Sequence, residues 1–176
     1  MRDRIETDRL LLRPLEPRDA IDIHRHCQDG EIARNTARIP MRYGLYDAEM
    51  FVLVCRAARG KRAGHIYAIA DRGLDRLVGT CGVFKRQPDS ADWEIGYWIG
   101  ADSRRRGYAT EAVGALCRDV RETLAPPRIT AGHFADNPLS GRVLERLGFA
   151  YTGGETPLFC MGRMTYVTSL DMALEG

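Results

Sequence analysis

The spacing of apolar residues changes several times along the chain, and each change marks an element. Residues 9–15, RLLLRPL, form a short apolar run that predicts a first strand. Pro17 opens a predicted helix that runs to about Gln28. Residues 29–46, DGEIARNTARIPMRYGLY, predict a short helix and loop, and Asp47 to about Arg59 a second long helix with Asp47 as its N-cap. Three strands follow, 65-HIYAIAD-71, 77-LVGTCGVF-84 and 93-WEIGYWI-99, separated by turns that contain Gly and Asp. The period then becomes helical. Ala109, Ala112, Val113, Leu116, Cys117, Val120 and Leu124 make one apolar stripe, which Pro126 and Pro127 end. Residues 128-RITAGHF-134 predict a strand. Asn137 and Pro138 then start a helix as cap and first turn, with Val143, Leu144 and Leu147 as its apolar face and Gly148 at its end. Strands near 149–156 and 164–171 close the chain. A strand meander before a central helix, then a strand–helix–strand unit, predicts a three-layer α/β domain with a partly antiparallel sheet flanked by helices.

Length and composition narrow the classes. A chain of 176 residues points to one domain, residues 1–176, and buries roughly 70% of the surface its unfolded form exposes. Hydrophobic residues at 44% and charged residues at 28% are ordinary for a globular protein. A net charge of +2 argues for neither a nucleic-acid nor a membrane partner, so partners must be read from local sites. MRDRIETDRLLLRPL at the N-terminus has no apolar run of signal-peptide length, and no apolar stretch is long enough to span a bilayer. Cys27, Cys55, Cys81, Cys117 and Cys160 show no close pairs, which predicts reduced, mostly buried thiols and a cytoplasmic protein. A catalytic cysteine is the weaker alternative. His24 and His26 are two apart and face different ways on a helix, so no metal site is expected.

The stretch that carries chemistry is 104-RRRGYATEAVGALCRDV-120. The first turn of a helix has N–H groups without intrahelical partners, and the helix dipole adds about half a positive charge there. Gly107 allows close backbone approach, and Arg104, Arg105 and Arg106 add charge, so the stretch predicts a phosphate or pyrophosphate site. GxxxxGK[ST] and GxGxxG are both absent, which sets aside the two common nucleotide loops. By local sequence alone, a plain turn beside a solvated arginine run stays open.

R104-R105-R106-G107-Y108-A109 resembles the (Q/R)-x-x-G-x-(G/A) signature of the GNAT superfamily of N-acetyltransferases. The signature lies five residues after a strand and opens a helix, as in that family. ATEAVGAL resembles its central helix, 136-DNPLSGRVLERLGF-149 its second conserved block, and 7-TDRLLLRPLEPRDA-20 the entry of the ribosomal-protein (RimJ/RimL-like) branch. The resemblance implies a GNAT-type domain with a mixed, mostly antiparallel sheet, and acetyl-CoA as acyl donor. It puts the pyrophosphate on the N–H groups of roughly Arg105 to Thr110, through Tyr108 and Ala109. The pantetheine arm would lie beside the end of the preceding strand, at Tyr97, Trp98 and Ile99. The N–H of Tyr97 would then stabilise the developing oxyanion, commonly the largest single catalytic contribution.

The matched blocks carry further roles. Acetyl transfer needs a neutral amine, which costs roughly 4–5 kcal/mol for a lysine at pH 7 but about 1.4 kcal/mol for an α-amine. Glu94 is the candidate base, directly or through a water, with a purely structural charge as the other reading. The family often has a tyrosine a few residues beyond the asparagine that matches Asn137, to protonate the leaving thiolate. Here Ser140 stands in the gap, and the ribosomal branch has a serine at the matching place. A first-turn serine can also satisfy a backbone group. Asn137 would face pantetheine besides capping its helix, and Arg142 would reach the 3′-phosphate or else be solvated. In the RimJ/RimL-like branch the segment that matches 34-RNTARIPMRY-43 lines the acceptor cleft, which brings in Arg34, Asn35, Arg38 and Tyr43. Residues 156–167 would form the opposite wall. The acceptor is then a protein N-terminal amine or a small-molecule amine; a noncatalytic acetyl-CoA-binding module is the third reading. A monomer or homodimer is expected.

Overall fold

The computed structural model describes residues 1–59, 64–85, 87 and 89–175. In chain order the elements are β1 (Ile5–Glu6), β2 (Leu10–Pro14), α1 (Asp19–Cys27), α2 (Gly30–Asn35), α3 (Leu45–Ala58), β3 (Gly64–Asp71), β4 (Arg76–Phe84) and β5 (Trp93–Ile99). A 3₁₀ turn at Ala101–Ser103 leads to α4 (Tyr108–Leu124), β6 (Arg128–Phe134), α5 (Pro138–Arg146), β7 (Ala150–Cys160) and β8 (Thr165–Glu175). The strands form one sheet in the order β1-β2-β3-β4-β5-β6-β8-β7. Every neighbouring pair is antiparallel except β5 and β6.

The sheet is the middle of three layers because its strands are apolar on both faces. On one face Leu10, Leu12, Ile69, Val83, Ile95, Ile129 and Met172 pack against Val113, Leu116 and Val120 of α4 and Leu144 of α5. On the other, Ala68 and Leu77 pack against Ile23 of α1, Ile32 of α2 and Val52 of α3. Fully burying a side chain of this size contributes about 1.5–3 kcal/mol. The alternation in β5 follows from this: Trp93, Ile95 and Tyr97 belong to the α4 side, Trp98 to the α1 side. A buried ion pair fixes the entry to α1, with Arg13 on Asp19 at 2.7 and 2.8 Å.

Four details differ from the sequence reading. Asp47 is not the cap of α3. Gly44 is, and the Asp47 carboxylate reaches back to accept from the Gly44 N–H at 2.8 Å. Tyr43 is buried in the second core cluster, its hydroxyl donating to the Asp47 carbonyl at 3.4 Å, and so lies outside any acceptor cleft. The last two strands run four residues further than expected, because each continues as a mutual ladder past the point where apolar alternation fades. The two-residue β1 has too little sequence to carry a periodic signal.

Candidate active site

The site begins where two strands part. β5 pairs with β6 only over Trp93–Ile95 against Ile129–Ala131. Beyond Ile95 the strands diverge. The Gly100 N–H donates to the Val78 carbonyl at 2.9 Å, and antiparallel alternation from that point turns the N–H groups of Tyr97 and Ile99 away from β4. They face the opening between β5 and β6. This opening is part of a cleft of about 700 Å³ lined by Tyr97, Trp98 and Ile99, by the start of α4, by the first turns of α5, and by Glu31, Ile32, Asn35 and Thr36 of α2.

The start of α4 supplies an anion site at one end of the cleft. Gly107 caps the helix at φ 79°, a left-handed conformation that costs an L-residue roughly 1–2 kcal/mol. The first helical bond runs from the Glu111 N–H to the Gly107 carbonyl, so the N–H groups of Tyr108, Ala109 and Thr110 have no intrahelical acceptor. Gly107, Tyr108, Ala109 and Thr110 all line the cleft.

The arginine run divides. Arg104 is half-buried, its Nε donating to the Ile99 carbonyl at 3.1 Å and its Nη2 paired with Asp29 at 2.5 Å. Since Asp29 also accepts from the Glu31 N–H as the cap of α2, Arg104 ties α2 to the end of β5. Arg105, at φ 61°, is exposed and lines the cleft. Arg106 does not line it; its carbonyl accepts from Arg9 Nη1 at 2.9 Å. Arg142 and Arg146, one turn apart on α5, are exposed along the opposite edge.

A support for the loop was missed in the sequence reading. The Arg9 guanidinium lies 4.8 Å from the centre of the Tyr108 ring and pairs with Glu111 at 2.5 Å. Thr7 Oγ1 donates to the same carboxylate at 2.6 Å. Burial alone would raise the Glu111 carboxyl, but the hydrogen bonds from Thr7 and Arg9 outweigh it and hold it below its usual range. On the far side the Tyr108 hydroxyl donates to Asp71 at 2.7 Å, and that bond raises the phenol pKa. Thr7 and Arg9 are about a hundred residues from Glu111, and Asp71 is 37 from Tyr108, so no local spacing signals these pairs.

Tyr97 and Ser140 meet. The phenol oxygen is 2.9 Å from Ser140 Oγ and 3.2 Å from the Ser140 carbonyl. Asn137 caps α5, its Oδ1 3.4 Å from the Ser140 N–H, and it lines the cleft as well. Glu94 is not brought to this pair. It faces the other side of β5 and lines a separate cleft of about 350 Å³ with Asp92, Arg128, Thr130 and Asp171. Arg34 and Asn35 border a third cleft of about 500 Å³, between α2, the start of α5 and the β7–β8 turn. There Arg163 pairs with Asp136 at 2.6 Å and donates to the Arg34 carbonyl at 2.8 Å, so the β7–β8 turn meets the end of α2 at Arg163. Arg38 is exposed and lines none of these clefts.

The cysteines are free thiols, four of them buried. Burial pushes Cys27 and Cys117 up to about 12, which disfavours a thiolate nucleophile. Among the described residues no group of His, Cys, Asp or Glu is arranged to hold a metal ion, and no helix is long and apolar enough to cross a membrane.

The acetyltransferase (GNAT) domain family matches residues 9–150. The chain belongs to the GNAT family and is an N-acetyltransferase that uses acetyl-CoA as its acyl donor. It is 30% identical over 155 residues to the uncharacterized N-acetyltransferase YoaA of Bacillus subtilis, covering 85% of this chain and 84% of that one. Its fold matches RimL, the ribosomal L7/L12 alpha-N-protein acetyltransferase solved with coenzyme A, at a TM-score of 0.83 and 16% identity over 98% of this chain and 97% of that one. It also matches the spermidine N-acetyltransferase of Vibrio cholerae solved with CoA and spermine, at 0.78 and 18% over 96% of each chain. Identities this low speak for the fold alone.

Proposed function

We propose that residues 1–176 act as one catalytic unit that transfers the acetyl group of acetyl-CoA to the α-amine of a protein N-terminus, by direct attack within a ternary complex. The observation that carries the donor half is the opening beyond Ile95, with the Tyr97 N–H aimed into it and the start of α4 at its end. In this reading the N–H groups of Tyr108, Ala109 and Thr110 hold the pyrophosphate, with Arg105 beside them. Arg142 and Arg146 face the 3′-phosphate. The Tyr97 N–H stabilises negative charge on the thioester oxygen, and Ser140 donates a hydrogen bond to the departing sulfur.

The acceptor half rests on the composition of the main cleft. Glu31 is the one carboxylate among the described residues that line it. A weakly basic α-amine loses its proton at pH 7 for about 1.4 kcal/mol, so it needs little help from a base, whereas a lysine needs much more. Similarity to RimL supports the same class. The second reading is a small-molecule amine, supported by similarity to the spermidine enzyme and by the third cleft, which opens beside Asn35 and Asn137. Only an acceptor that enters from the far face of β5 would meet Glu94 as its base.

Incubating the protein with a lysate of its host and radiolabelled acetyl-CoA, then separating by size, distinguishes the two. The expected result is label in macromolecules, with N-terminal sequencing naming the target. Label confined to small molecules would overturn the protein-acceptor reading.

A further inference from the structure

We propose that the phenol of Tyr97 is a positioning residue for Ser140, directing the serine hydroxyl hydrogen into the cleft and toward the sulfur of the leaving group. The proposal rests on the acetyl-transfer reading above and adds to the backbone role of Tyr97 a separate one for its side chain.

The hydroxyls of Tyr97 and Ser140 share one contact. Only one hydrogen can lie in the 2.9 Å contact between Tyr97 Oη and Ser140 Oγ. If the serine supplies it, the Tyr97 hydrogen goes to the Ser140 carbonyl at 3.2 Å, and the cleft receives no donor. If Tyr97 supplies it, the serine hydrogen is released to point elsewhere, and Ser140 lines the cleft. The contact geometry permits both arrangements. A negative sulfur in the cleft selects the second, because a hydrogen bond to a charged acceptor is roughly twice as strong as one between neutral groups. The change exchanges hydrogen-bond partners and transfers no proton.

Three further observations fit this role. The Ser140 backbone is already served, its N–H shared between the Asn137 carbonyl at 3.2 Å and the Asn137 side chain at 3.4 Å, so the hydroxyl is not needed as a cap. The Tyr97 ring is packed against the core under α4 and α5, which holds the phenol at the serine without a charged partner. Burial pushes the Tyr97 phenol up to about 12, well above an ordinary thiol, so it keeps its proton and acts as a fixed donor. The sequence reading treated Tyr97 for its N–H alone, since a contact between positions 43 residues apart has no local signature.

The test needs no acceptor. CoA is bound to the full chain and its thiolate is followed by ultraviolet absorbance as the pH rises. Donors aimed at the sulfur favour the thiolate, so the bound thiol of the wild type ionises below the free one. In Tyr97→Phe, which keeps the ring, the midpoint moves up by about half a pH unit or more, a roughly threefold loss of thiolate preference. Ser140→Ala moves it at least as far, and the double variant matches Ser140→Ala alone, because the phenol acts through the serine. In turnover with any competent amine, Tyr97→Phe lowers kcat about fivefold and leaves the KM for acetyl-CoA within about twofold. An unchanged midpoint in Tyr97→Phe, or a double variant whose shift equals the sum of the single ones, overturns the proposal. CoA that fails to bind the wild type overturns the acetyl-transfer reading and this proposal together, whereas tight binding with an unmoved midpoint overturns this proposal alone.

Discussion

The two faces of β5 are built from different materials. Among the side chains of Arg105, Asn137 and Arg142, the opening between β5 and β6 presents backbone groups: the N–H of Tyr97, the N–H of Ile99 and the first turn of α4. They are fixed by the sheet ladder and by a helix, and Tyr97 and Ser140 add one hydroxyl pair. Toward the other face the polar groups are side chains: Glu94, Asp92, Arg128, Thr130 and Asp171. An acyl donor shared across a family needs one geometry, and backbone groups supply it whatever the side chains are.

Substitutions sharpen this contrast in a definite order. Gly107→Val has the largest effect expected, since it forces a branched side chain into a left-handed cap; calorimetry should find acetyl-CoA binding weaker by about tenfold or more. Unchanged affinity would separate the α4 N-terminus from the pyrophosphate. Ser140→Ala follows, with kcat about tenfold lower and acetyl-CoA affinity little altered. Glu94→Gln tests the opposite face, and steady-state rates should fall about tenfold at neutral pH if it serves as the base. Wild-type turnover in both Ser140→Ala and Glu94→Gln would mean that the chemistry lies elsewhere. Arg9→Ala is the mildest. It leaves the cleft lining intact but loosens the loop from behind, so acetyl-CoA affinity should drop about threefold with kcat retained.

The contrast also explains what the sequence revealed. The α4 stripe, the glycine before it and the asparagine–proline start of α5 are local patterns, and each corresponds to an element found in the structure. Because the proposed donor site is built on those elements, the elements that would carry it were legible. Side-chain partnerships were not. Arg104 looked like one of three phosphate ligands, yet it pairs with Asp29 and the Ile99 carbonyl. Tyr43 looked polar enough for a cleft wall and is in the core, because its hydroxyl finds a backbone carbonyl within its own turn. Glu94 was singled out by its place near Tyr97 in the chain, but strand alternation sends neighbours at odd separation to opposite faces. Arg9 and Glu111 were passed over because a contact between a strand end and a distant helix leaves no periodic trace.

The short parallel ladder between β5 and β6 has a consequence for amide hydrogen exchange. Three residue pairs join the N-terminal strands to the C-terminal ones, and beyond them the sheet lacks one strand's worth of hydrogen bonds. The amides of Tyr97 and Ile99 therefore sit at the rim of a seam, and they should exchange faster than those of Trp98 and Gly96, which the register pairs with β4. A ligand arm laid along the seam would slow just those two amides. The reading is residue-specific and needs no knowledge of the acceptor.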